Sequence, residues 1–168
     1  MNMKKFLIIT LTILIVLLAG TGIYVYSLLN DIPRASLADS TREDLGISDS
    51  APDEDDTGII NILLFGLDRR SSNEKGARSD AIMIATIDKK HEKLKLTSLM
   101  RDMYVSIPGK QDHKLNSAYA FGGPSLAIKT VNTNFDLDVT RYVTVDFFGL
   151  EKIIDSLGGV EIDVKIRK

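Results

Sequence analysis

Residues 61–102 read NILLFGLDRRSSNEKGARSDAIMIATIDKKHEKLKLTSLMRD, and this stretch decides the fold. Three apolar runs, Ile59–Phe65, Ala81–Ile87 and Leu94–Met100, are short and rich in Ile and Leu, which is the signature of strands. Charges stand at their ends: Asp68, Arg69 and Arg70 after the first, Arg78 and Asp80 before the second, Arg101 and Asp102 after the third. A hairpin through Asp88–Lys93 brings all three clusters to one edge of one sheet. Carboxylates and arginines gathered on one rim suit a metal-assisted phosphate site.

Downstream, Met103–Ile107 reads as a fourth short strand stopped by Pro108-Gly109. Lys114–Phe121 reads as a helix closed by Gly122-Gly123, with Pro124 placed to open a second one over Ser125–Phe135. Arg141–Asp146 (RYVTVD) is β-branched and strand-like. Phe147–Leu157 puts Leu150, Ile153, Ile154 and Leu157 on one helical face and ends at Gly158-Gly159. Val160–Ile166 alternates apolar and charged residues as a half-exposed strand does. Strands interleaved with helices predict an α/β domain over residues 58–168, a central mixed β-sheet flanked by helices.

Upstream, Phe6–Leu29 runs 24 residues without a charge. As a helix it is about 36 Å long, enough to span a hydrocarbon core of ~30 Å with some tilt. Lys4 and Lys5 precede it and Asp31 follows, so the positive-inside bias puts residues 1–5 in the cytoplasm and the remainder outside. The core is too long and its end too bulky (Tyr24, Tyr26, Leu28, Leu29) for a cleaved signal peptide, so residues 6–29 read as an uncleaved signal anchor. Residues 30–57 read as an acidic linker, with Pro33, Pro52 and the run Asp53–Asp56, too poor in apolar residues to bury a core.

The net charge of −2 divides unevenly, with nine acids against Arg34 and Arg42 in residues 31–56 and a mildly basic remainder from residue 57. Absence of cysteine excludes a disulfide framework, thiolate metal sites and a cysteine nucleophile. No serine stands in a nucleophile elbow, and His91 and His113 lie in polar, turn-like segments, so a catalytic triad is not indicated. Lys and Arg are scattered without interleaved aromatics, which argues against nucleic-acid binding.

The rim residues carry the chemistry. Asp68 and Asp80 flank the loop Arg69–Ser79, and hard carboxylate oxygens suit Mg2+, which keeps waters and shares its shell with phosphates. Arg70, Arg78 and Arg101 offer the paired donors that clamp phosphate oxygens. Asp102 reads as a group that orients Arg101. The bland alternative is that these charges pair with one another at the surface.

The ordered set GLDRR (66–70), RSD (78–80), SLMRD (98–102), LNSAYAFGG (115–123) and YVTVDFFGLEKIIDSLGGVEIDV (142–164) resembles the LytR–CpsA–Psr family of bacterial envelope proteins. The family usually has proline where Met100 stands. The resemblance implies a bacterial, Gram-positive, single-pass membrane protein with an extracytoplasmic phosphotransferase domain. It would move an anionic glycopolymer, teichoic acid or capsular polysaccharide, from a polyprenyl-diphosphate carrier to peptidoglycan, with a pyrophosphatase side activity. By resemblance, Asp68 and Asp80 hold magnesium, Arg78, Asp80 and Arg101 are catalytic, and Arg70, Arg78 and Arg101 bind the diphosphate. The lipid tail would lie in an apolar pocket, with Tyr119, Phe121, Leu126 and Phe147 as candidate walls and core packing as their competing role. Family domains continue past the GGV strand, so the chain reads as the first part of such a domain, with little turnover of its own expected. The rival reading is a non-enzymatic envelope regulator or a module that binds diphospholipid without turning it over.

Overall fold

The computed structural model describes residues 3–30, 37, 40–69 and 76–162, without the side chains of 4–6 and 28–30. The chain forms two compact units, Met1–Ser36 and Leu37–Lys168. The first is the helix α1 (Met3–Asn30). Its segment Leu7–Ser27 has a mean hydropathy of 2.4, long and apolar enough to cross a membrane. The hydroxyls of Thr10, Thr12 and Thr21 donate back to the carbonyls of Leu7, Ile8 and Leu17, so the helix covers its own polar atoms.

The second unit is built on a four-stranded sheet of order β3-β2-β1-β6. Strands β1 (Ile59–Leu67), β2 (Ser79–Asp88) and β3 (Lys93–Leu99) are the three apolar runs, paired antiparallel in sequence order. β6 (Arg141–Asp146) lies parallel to β1, with Leu64 opposite Val143. The sheet is mixed, as the alternation of strands and helices predicted. The expected fourth strand is shorter: β4 (Tyr104–Val105) pairs with β5 (His113–Lys114) in a separate two-stranded ribbon.

Period-2 alternation decides what each sheet face buries. Leu63, Phe65 and Leu67 from β1 and Ile82 and Ile84 from β2 are buried with Ala118, Ala127, Ile128 and Val131 of α3 (Leu115–Phe135). Each large aliphatic side chain buried this way contributes about 1.5–3 kcal/mol. Phe65 also meets the edge of Tyr119 at 5.1 Å between ring centroids. α3 is broken where Gly122-Gly123 and Pro124 predicted a stop. Gly123 has φ +67, a backbone conformation that strains any other residue, and a Cβ on Gly122 would stand 2.6 Å from the Leu126 Cβ. α4 (Phe147–Ser156) follows β6 directly, capped by the Asp146 carboxylate, which accepts from Gly149 N at 2.9 Å.

Two expectations need correction. The linker reading of residues 30–57 fails over 41–57, because Leu45, Ile47 and Ala51 are buried in the main core. This strap opens on a reciprocal cap, in which Thr41 N donates to Asp44 Oδ2 (2.9 Å) and Asp44 N to Thr41 Oγ1 (3.1 Å). Asn132 Nδ2, from α3, donates to Leu45 O at 2.9 Å. The short helix α2 (Glu54–Thr57) then brings Glu54 to Lys89 (3.0 Å) and Arg141 (2.6 Å). Three apolar residues scattered among acids are enough to dock a strap that average composition describes as solvated. The strand expected over Val160–Ile166 is not formed at Val160–Ile162, which are exposed coil; its remainder lies outside the described residues.

Candidate active site

The hairpin places the three charged clusters as the strand ends required. β1 ends at Leu67, β2 begins at Ser79 and β3 ends at Leu99, all on one edge of the sheet. A register shift between Gly66 and Leu67 sets Leu67 opposite Ser79, and Asp68 N donates to Arg78 O at 3.3 Å, extending the pairing beyond the strand. Within 77–80 the chain alternates: Ala77 and Ser79 are buried, while Arg78 and Asp80 are exposed. Arg78 and Asp80 therefore leave the sheet on one side.

They open onto a polar cleft of about 700 Å³ lined by Asp68, Arg78, Asp80, Arg101 and Asp102 together with His113, Lys114, Asn116 and Ser117. Arg101 Nη1 lies 2.9 Å from Asp80 Oδ1, and its Nε lies 3.6 Å from Asp102 Oδ2. Lys114 Nζ lies 2.8 Å from Asp102 Oδ1. The hydrogen bond and charge of Lys114, with a smaller contribution from Arg101, hold the Asp102 carboxyl below its ordinary range. Asp68, Arg78, Asp80 and Arg101 thus share one cleft. Arg70 lies outside the described residues.

Lys114, Asn116 and Ser117 were not singled out as site residues in the sequence. Asn116 and Ser117 are buried polar residues at the start of α3, and both line the polar cleft. His113 meets the edge of Phe121 at 5.6 Å rather than standing alone in solvent, and His91 pairs with Asp88 at 2.8 Å. Ser79 Oγ is buried and has no hydrogen-bond partner among the described residues.

A second cleft, about 650 Å³ and apolar, opens on the opposite sheet face between β1, β2, β6 and α4. Leu64, Met83, Val143, Phe147, Leu150 and Ile153 line it, and so do Asp68 and Asp80. The two clefts therefore meet at the same pair of aspartates. Of the four candidate walls for a lipid tail, Phe147 lines this cleft. Tyr119 and Leu126 pack against the core, and Phe121 lies against His113.

Among the described residues no group of three or more His, Cys, Asp or Glu could enclose a metal. Two carboxylates in an open cleft fit an ion that keeps waters and completes its shell with substrate phosphate oxygens, not one held in an all-protein cage.

The LytR–CpsA–Psr (LytR_cpsA_psr) family model matches residues 23–167. The chain belongs to this family. It is 44% identical over 110 residues to the regulatory protein MsrR of Staphylococcus aureus (strain COL), a match covering 64% of the chain and 33% of that protein. It is 36% identical over 169 residues to the polyisoprenyl-teichoic acid–peptidoglycan teichoic acid transferase TagU of Bacillus cereus (strain AH820), covering 95% of the chain and 53% of TagU. A solved structure of YwtF (TagT) with bound octaprenyl pyrophosphate lipid superposes with a TM-score of 0.62 at 33% identity, covering 79% of this chain and 51% of that one. TagV of B. subtilis gives a TM-score of 0.56 at 32% identity, over 63% and 43% of the two chains. The chain thus spans about half or less of the length of these LytR–CpsA–Psr relatives.

Proposed function

We propose that this LytR–CpsA–Psr chain carries the diphosphate-binding rim of a membrane-anchored phosphotransferase. The substrate is a polyprenyl-diphosphate-linked anionic glycopolymer, the acceptor is a peptidoglycan hydroxyl, and the folded unit lies outside the cell. The observation that carries this reading is the meeting of a polar and an apolar cleft at Asp68 and Asp80. A prenyl diphosphate is an amphiphile of that shape, with an anionic head joined directly to an aliphatic tail. The lipid-bound relative and the name of TagU support the choice of substrate.

Arg78 and Arg101 bind the non-bridging oxygens of the diphosphate, spreading the charge that develops as the phosphorus is transferred. The acceptor oxygen forms a bond to the phosphorus bearing the polymer, and the bridging P–O bond breaks. Prenyl phosphate leaves with the bond's electrons, and the hydroxyl proton passes to solvent. Asp68 and Asp80 would hold Mg2+, which neutralises charge on the leaving phosphate when bound. Water in place of the acceptor hydroxyl gives the pyrophosphatase side activity. Asp80 shares one oxygen with Arg101, which fixes metal ligand and phosphate clamp relative to each other.

The test is a titration of the full chain in detergent with octaprenyl diphosphate, followed by 31P NMR with and without Mg2+. Shifted and broadened phosphorus signals, lost in R101A, are expected; unchanged signals overturn the reading. The name of the regulatory protein MsrR favours a second reading in which the chain is a regulator, and on this site such a regulator would bind the lipid without turning it over. D80A separates the two when lipid-phosphate release is followed: an enzyme loses turnover, whereas a pure binder has none to lose. Protease accessibility of residues beyond the anchor on intact cells tests the orientation.

A further inference from the structure

Lys114 lines the polar cleft beside Asp102, and the backbone around it is fastened to bring it there. Leu115 N donates to Met103 O at 2.8 Å and Asn116 N to Arg101 O at 3.1 Å. The start of α3 is therefore fastened to the segment that carries Arg101 and Asp102, and Tyr104 pairs directly with Lys114 in the β4–β5 ribbon. From this anchored backbone Lys114 Nζ reaches Asp102 Oδ1 at 2.8 Å, while the other Asp102 oxygen lies 3.6 Å from Arg101 Nε. Arg101 Nη1 completes the row on Asp80 Oδ1 at 2.9 Å.

We propose that Lys114 is a positioning residue for Arg101, acting through Asp102. The inference rests on the diphosphate reading above and adds a residue to it. A guanidinium is planar, so contacts at Nε and Nη1 fix both its tilt and the direction of its remaining N–H groups. Asp102 supplies the Nε contact, but an Asp102 without a second partner would turn both oxygens to Arg101 and compete with an incoming phosphate for it. Lys114 takes one oxygen, so Asp102 orients Arg101 without capturing it. The effect is on geometry and on the charge left to Arg101, with no contact between Lys114 and phosphate.

The full chain in detergent micelles tests this with inorganic pyrophosphate as ligand. Binding is measured by calorimetry for the wild type, K114M, D102N and the double variant, and the Arg101 side-chain Nε–H signal is followed by NMR. K114M is expected to weaken binding by about tenfold, the size of coupling usual within one charge network. It should cost nothing further in the D102N background, and K114M alone should broaden or shift the Arg101 Nε–H signal. An equal loss from K114M in both backgrounds means direct contact with the anion and overturns the proposal. So does an unmoved Nε–H signal. If the wild type does not bind pyrophosphate, the functional reading fails, while the Nε–H signal of K114M still decides the role of Lys114.

Discussion

Arg101 Nη1 sits 2.9 Å from Asp80 Oδ1, tying the end of β3 to the start of β2 at the sheet rim. Both side chains are substantially exposed, 50% and 39%. An ion pair so open to water contributes at most about 1 kcal/mol to stability. R101A is therefore expected to unfold within about 1 kcal/mol of the wild type in urea while losing prenyl-diphosphate binding by at least about a hundredfold, through loss of a charge-assisted clamp. R101K should recover only a small part, because an ammonium lacks the fork. A stability loss that accounts for the binding loss would refute the functional assignment.

Removal of the metal should act through the two aspartates. D68N and D80N are each expected to abolish the Mg2+ dependence of prenyl-diphosphate binding by the full chain, with the fold retained by circular dichroism. Equal Mg2+ dependence in wild type and both variants would show that the ion does not sit between them.

Asn132 of α3 fastens both the strap and the segment that leads into β6. It is 1% exposed, with Nδ2 donating to Leu45 O and Val139 O and Oδ1 accepting from Val139 N, each at 2.9 Å. N132A strands three buried backbone groups and is expected to cost about 3 kcal/mol, read as a lower urea midpoint. The nearby Gly46 has φ +66, and a Cβ there would stand 2.5 Å from Thr133 Oγ1. G46A should therefore also destabilise and should make the strap easier to cleave by protease. Wild-type midpoints in both would show that the strap adds nothing to the fold.

Acid should loosen the strap. Hydrogen bonds from Arg141, and then from Lys89, hold the Glu54 carboxyl below the ordinary glutamate range. A group with a depressed folded pKa stabilises the fold above its unfolded pKa, and that contribution disappears as pH falls through the folded value. The Glu54 fastening is thus present at neutral pH and lost below the ordinary glutamate range. In R141M the Glu54 midpoint should move up toward that range in a 13C carboxyl titration; an unmoved midpoint refutes the pairing.

The strands of the sheet were legible because their signals are local. The short Ile- and Leu-rich runs at 59–65 and 81–87, the Gly-Gly-Pro break in α3 and the β-branched run 141–146 each concern residues a few positions apart. The rim followed from them: once β1, β2 and β3 pair as hairpin neighbours, Asp68, Arg78, Asp80 and Arg101 must end on one edge. The strap was missed because three apolar residues in an acidic stretch are a weak local signal, and only a groove beside α3 gives them something to bury against. Lys114 was missed for a related reason. Nothing local distinguishes it from other surface lysines.

The sequence by itself determined the strands β1, β2, β3 and β6, the helices α3 and α4 and the charges at the strand ends, because backbone periodicity and sterics act between near neighbours. The tertiary structure alone decided that Lys114 meets Asp102, that residues 41–57 close the core, and that an apolar cleft backs the polar one at Asp68 and Asp80. Those meetings depend on how the chain returns through the β4–β5 ribbon and α3, and a return path is selected by the packing of the whole core.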